Sequence, residues 1–191
     1  MIRCININVA RRFFASLALS LAFVLNASAA GPLRDRTLSI PGRGTLVLSS
    51  PHPWSPQTSQ PPETLAPTIR FSSTAAQGFV VVITAFWSPT NDSSFNSPSQ
   101  VRTLVEDTVD EIEPWLVEKD IPILGLRGGS GTGYYISGTD KDTGPDDYKY
   151  LTQGAIAVDD LLLTFTVLTN EKDSTVVKDA LDMLRNARRG T

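Results

Sequence analysis

Nine residues, Phe79 to Trp87, read Phe-Val-Val-Val-Ile-Thr-Ala-Phe-Trp and set the first limit on the fold. In an extended chain successive side chains point to opposite faces, so Phe79, Val81, Ile83 and Trp87 lie on one side and Val80, Val82 and Phe86 on the other. Both sides are apolar. A strand of that kind belongs in the middle of a sheet covered on two faces. The chain must therefore carry covering layers, and two stretches of helical spacing supply them.

The first is signalled by Ser97-Pro98, a capping residue followed by a proline at the first helical position. Val101, Leu104, Val105, Val109, Ile112 and Leu116 then recur at helical spacing. The pattern predicts a helix running toward Lys119, with Pro114 inside it to kink or end it. The second helix is predicted from about Asp173-Ser174, with Val177, Ala180, Leu181 and Leu184 on one stripe and Gly190 just past its end.

Strands are predicted near 38–40, 44–48, 123–126, 133–137, 148–158 and 161–169. The last alternates cleanly, with Leu161, Leu163, Phe165 and Val167 against Thr164 and Thr166, and Asp159-Asp160 joins it to the strand before as a hairpin. Residues 49–67 are rich in proline and serine and read as a long irregular loop. Strands, helix, strands, helix is the order of an α+β domain with a mainly antiparallel sheet.

Three stretches carry a resemblance. Gly133-Tyr-Tyr-Ile-Ser-Gly-Thr, the run from Tyr148 to Thr169, and Ala180-Leu-Asp-Met-Leu-Arg resemble the C-terminal half of bacterial exported domains with the Mog1/PsbP-like fold. Gly44-Thr-Leu-Val-Leu followed by Trp54 is similar to that group's first hairpin. The resemblance implies an α/β/α sandwich around an antiparallel sheet. It also implies binding to other proteins rather than catalysis, and it assigns no binding residue to this chain.

The N-terminus reads as an address. Arg3, Arg11 and Arg12 precede an apolar run from Phe13 to Leu25, and Ala27-Ser28-Ala29-Ala30 follows. This is the order of a secretory signal peptide over residues 1–30, cleaved after Ala29 or Ala30. The apolar run is too short for a bilayer, which takes about twenty residues, so no membrane span remains after cleavage. The expected location is outside the cytoplasm, periplasmic in a Gram-negative host and otherwise secreted. Cys4, the only cysteine, leaves with the signal peptide. A single domain over 31–191 must then hold without disulfides, and a chain of roughly 160 residues buries about 70% of its unfolded surface.

Losing three arginines and no acid takes the formal charge from -3 to -6. Nucleic acid and anionic membranes are bound by clustered Lys and Arg, so neither is expected as a partner. The basic run from Arg185 to Arg189 sits at a predicted helix end, where cations oppose the helix dipole.

No catalytic set is complete, and no cofactor is expected. Gly128-Gly129-Ser130-Gly131-Thr132 lacks the lysine and following helix of a phosphate loop, and it has Thr where a nucleophile elbow needs Gly. It reads as a turn between strands. His52 is the only histidine, set in a Pro-rich stretch, and reads as a surface residue rather than a catalytic base. Asp140, Asp142, Asp146 and Asp147 are candidates for an irregular calcium site. Read as an EF-hand, the loop fails at Gly144, Pro145 and Leu151. Glu106, Asp107, Asp110, Glu111 and Glu113 read as the solvated face of the first helix. Asn91-Asp-Ser93 matches a glycosylation acceptor that matters only in a eukaryotic secretory host.

The expected function is that of an exported, non-enzymatic binding or accessory domain with a protein partner at the envelope. The alternatives are a small-ligand binder with a pocket between sheet and helix, and a small hydrolase using Asp or Ser residues brought together by the fold.

Overall fold

A computed structural model describes residues 32–60, 66–73, 78–145 and 147–190. The expected signal peptide with Cys4, Ala29 and Ala30, the prolines at 61 and 62, and Asp146 lie outside the described residues. The elements are β1 (Leu33–Ile40), β2 (Gly44–Pro51), β3 (Trp54–Ser59), β4 (Thr68–Ser73), β5 (Phe79–Trp87), α1 (Pro98–Ile112), a 3-10 turn (Glu113–Trp115), β6 (Leu124–Arg127), β7 (Thr132–Thr139), β8 (Tyr150–Val158), β9 (Leu161–Thr169), α2 (Thr175–Arg185) and β10 (Arg188–Gly190).

Seven strands form one sheet in the order β3-β4-β5-β9-β8-β7-β6, and β1-β2-β10 form a second. All neighbours run antiparallel. The architecture is α+β and sandwich-like: α1 packs on one face of the large sheet, while α2 and the small sheet cover the other.

The alternation of β5 decides how these layers meet. Phe79, Val81, Ile83 and Ala85 enter the larger core, where they join Leu46 and Leu48 of β2, Phe165 and Val167 of β9, and Leu181 and Leu184 of α2. Each large aliphatic or aromatic side chain buried this way contributes about 1.5–3 kcal/mol relative to exposure. On the other face Val101, Val105 and Ile112 of α1 pack with Ile136, Ala155, Ala157 and Leu162. Phe86 joins that second cluster.

Four expectations are corrected. First, the segment 49–67 is not one loop: β2 runs to Pro51 and β3 occupies Trp54–Ser59. Pro56 is tolerated there because β3 is an edge strand, where a missing N–H need not break a ladder. Second, Thr68–Ser73, where no strand is predicted, pairs along both edges, with Ile69 and Phe71 turned into the core. Third, the C-terminal basic run is split between two elements. Arg185 ends α2 and bonds Asp182 at 2.6 Å, whereas Arg188 and Arg189 belong to β10 and pair with β2. Fourth, α1 stops at Ile112 instead of running on toward Lys119. Pro114 cannot continue the hydrogen-bond ladder, so the chain tightens into the 3-10 turn and leaves extended at Leu116.

Candidate functional site

Two places stand out, a polar cleft at one end of the molecule and the outer edge of the large sheet. The cleft has a volume of about 350 Å³ and is lined by Arg43, Ser88, Asn91, Asp92, Ser93, Asn96, Asp159 and Asp160. Three connections converge on it: the β1–β2 turn, the β5–α1 loop and the β8–β9 turn. Gly42 and Gly44 adopt φ of 69° and 79° around Arg43, a backbone that favours glycine.

Arg43 ties these connections together. It donates to Asp160 Oδ2 at 3.1 Å, to the Ser88 carbonyl at 3.0 Å and to Asn91 Oδ1 at 2.6 Å. Arg189 reaches the same aspartate from β10, with Nε 3.3 Å from Asp160 Oδ1, and also donates to the Arg43 carbonyl. Asn96 Nδ2 donates to the carbonyls of Asp159 and Leu161 at 2.7 and 2.9 Å. Asp92 accepts from the Ser94 N–H and hydroxyl, and those bonds hold its carboxyl below the usual range. Arg43, Asp160 and Arg189 are engaged with one another, and their chemistry is that of a clasp joining distant parts of the chain.

The remaining sequence candidates are scattered. The Gly128–Gly131 stretch is a tight hairpin turn: Gly128 N–H bonds the Gly131 carbonyl at 2.9 Å, and Gly129 N–H bonds the Arg185 carbonyl at 3.0 Å. Those donors face backbone carbonyls. His52 lies exposed in the turn between β2 and β3. Asp140 and Asp147 each accept a nearby backbone N–H, from Asp142 at 2.9 Å and Gly144 at 3.2 Å, in the manner of turn-forming aspartates. Among the described residues no group of three or more His, Cys, Asp or Glu is gathered as a metal site. Glu106, Asp107, Asp110 and Glu111 are exposed on α1, and Asn91 is exposed in the β5–α1 loop.

The sheet edge was not legible as a site. β6 is the last strand of the large sheet and covers only the first half of β7, from Thr132 to Tyr135. Further along, the chain leaving α1 takes over the same edge. Leu116 bridges Asp140, Val117 N–H donates to the Thr139 carbonyl at 2.8 Å, and Lys141 N–H donates to the Trp115 carbonyl at 3.2 Å. Glu118 completes the graft by accepting from the Thr139 N–H and hydroxyl, both at 2.7 Å. Burial works against the Glu118 charge, but these two bonds, the residue's own backbone N–H and the Lys172 charge together hold the carboxyl below its ordinary value.

Leu116 is buried against α1, so alternation turns Val117 to the opposite face, the one that carries Leu124 opposite Tyr135. Trp115, Val117 and Leu124 are 49%, 58% and 42% exposed, and they are three of the four large apolar side chains standing exposed among the described residues. The open edge is thus bordered by apolar surface.

No protein-family model matches the sequence, and no curated protein matches it. Among solved structures, the chain is similar to the solution structure of cyanobacterial PsbP (CyanoP) from Synechocystis sp. PCC 6803, with a TM-score of 0.50 at 12% identity. The match covers 89% of this chain and 99% of that one. A likeness at that identity speaks to architecture, and on it the chain has a PsbP-like α+β fold.

Proposed function

We propose that this chain is an exported accessory domain that works through protein contacts and not through catalysis. The observation that carries this reading is that Trp115, Val117 and Leu124 all stand exposed along one edge of the large sheet. Apolar side chains clustered at one place on a surface mark contact sites, whereas singly scattered ones need no explanation. The engaged charges of the polar cleft supply no comparable invitation.

Site-specific photocrosslinking in the producing cell tests the reading. A photoreactive residue at Val117 is expected to form a discrete protein adduct, and one at exposed Asp107 on α1 is not. Trp115→Ala in the same chain should weaken the Val117 adduct. Equal labelling from both positions, or none from Val117, rejects the proposal. Export itself is checked by intact mass, which should correspond to a chain beginning near Gly31.

A further inference from the structure

We infer that β6 takes up an extended segment of a partner protein as an eighth strand of the large sheet, with a carboxylate in that segment opposite Arg127. This rests on the protein-contact reading above and specifies how the contact is made.

The phase of β6 is fixed by its hairpin. Gly128 N–H bonds the Gly131 carbonyl across the turn, and Leu126 and Leu124 lie opposite Gly133 and Tyr135. In an antiparallel pair, residues alternate between bonding the partner and facing away. Leu124 and Leu126 therefore bond β7, while Gly125 and Arg127 turn their N–H and C=O groups outward. Thr139 provides an independent check on that phase: the same count along β7 places its backbone on the outer edge, where it bonds Val117 and Glu118. β6 offers two donors and two acceptors in a row to an incoming strand.

The molecule already shows the kind of segment that suits this edge. Residues 116–118 add to β7 as a short extended stretch, with Leu116 buried, Val117 exposed and the Glu118 carboxylate bonding the sheet. β6 repeats those conditions one strand further out. Gly125 is exposed, and a Cβ built on it would meet nothing within 4 Å, so the sheet face beside this edge is uncovered there. Leu124 supplies apolar surface beside it. Arg127 is exposed and makes no ion pair among the described residues.

A second copy of the chain fits this edge less well. Side by side, two β6 strands with the sequence Leu-Gly-Leu-Arg offer Arg127 only leucine, glycine or another arginine. An acidic, alternating segment satisfies the backbone groups, Leu124 and Arg127 together.

The experiment selects phage-displayed random decapeptides on the exported chain and measures synthetic versions of the winners by fluorescence anisotropy. The expected winners alternate apolar and polar residues and carry Asp or Glu. N-methylation at every second peptide residue should abolish binding, and methylation at the intervening residues should leave it within about twofold, the period of a strand ladder. Gly125→Pro removes one outward N–H without touching the bonds to β7 and should weaken binding at least tenfold. Arg127→Glu, which needs no backbone change, should switch the preference from acidic to Lys-bearing peptides. Failure to enrich any peptide overturns the inference, as does binding insensitive to both variants and to methylation phase. Sedimentation showing a dimer that Arg127→Glu leaves intact and that excludes every peptide also overturns it. A Val117 photoadduct alongside any of these failures leaves the protein-contact reading standing and removes strand addition alone.

Discussion

The Glu118 carboxylate accepts both the N–H and the hydroxyl of Thr139, and those bonds favour its charged form. A carboxyl whose pKa is lower folded than unfolded stabilises the fold above the unfolded value and loses that contribution as pH falls through the folded one. Glu118→Gln should therefore lower the urea midpoint at pH 7, and the gap from wild type should close as pH drops below the ordinary value of 4.5. A gap constant down to acid pH would reject this role. Arg43 makes a different case, because it binds groups from three connections. Arg43→Ala is expected to cost about 1–2 kcal/mol in urea denaturation, in line with hydrogen bonds to a charged group. Neither residue was legible in the sequence. Both act through partners far along the chain, and no local spacing signals such pairs. The acidic loop shows the reverse: Asp140, Asp142 and Asp147 were conspicuous as a run, yet two of them bond their own turn.

At the scale of elements, legibility followed burial. β9 formed over its expected residues, Leu161–Thr169, because both its alternation and its hairpin turn are written locally. β5 took its interior place because apolar residues on both its faces are written locally as well. β3 was hidden by prolines that an edge strand tolerates, and β10 is three residues long and gains its conformation only by pairing with β2. The stop of α1 was half-readable: Pro114 announced a break, while Leu116 continued the helical count and is instead buried from an extended segment. Two substitutions probe the elements. Ser97 Oγ accepts the Gln100 N–H at the start of α1, so Ser97→Ala should lower stability by about 1 kcal/mol. Gly154 sits in mid-sheet, where a Cβ would strike the Tyr134 carbonyl and come within 2.8 Å of Phe165 Cζ. Gly154→Ala should cost about 2 kcal/mol by overpacking, seen as a lower thermal midpoint with α1 still capped.

The whole molecule is bound together by its small sheet. β2 holds β1 along one edge and β10 along the other, and Arg188 meets Asp35 at 2.7 Å across 153 residues of sequence. Truncation after Ala187 removes β10 together with the Arg189 contacts to Asp160 and Arg43. The expected cost is about 2 kcal/mol, or a fall of about 4–8 °C in thermal midpoint for a domain of this size. An unchanged midpoint would show that β10 only decorates the edge. The same pairing also imposes an order on assembly. Contacts between distant segments are the slow ones to form, and the free flank of β2 has no strand to hold until residues 188–190 are available. A chain emerging from a ribosome therefore leaves its small sheet unfinished while most of its core residues are already out. The small sheet closes on β10.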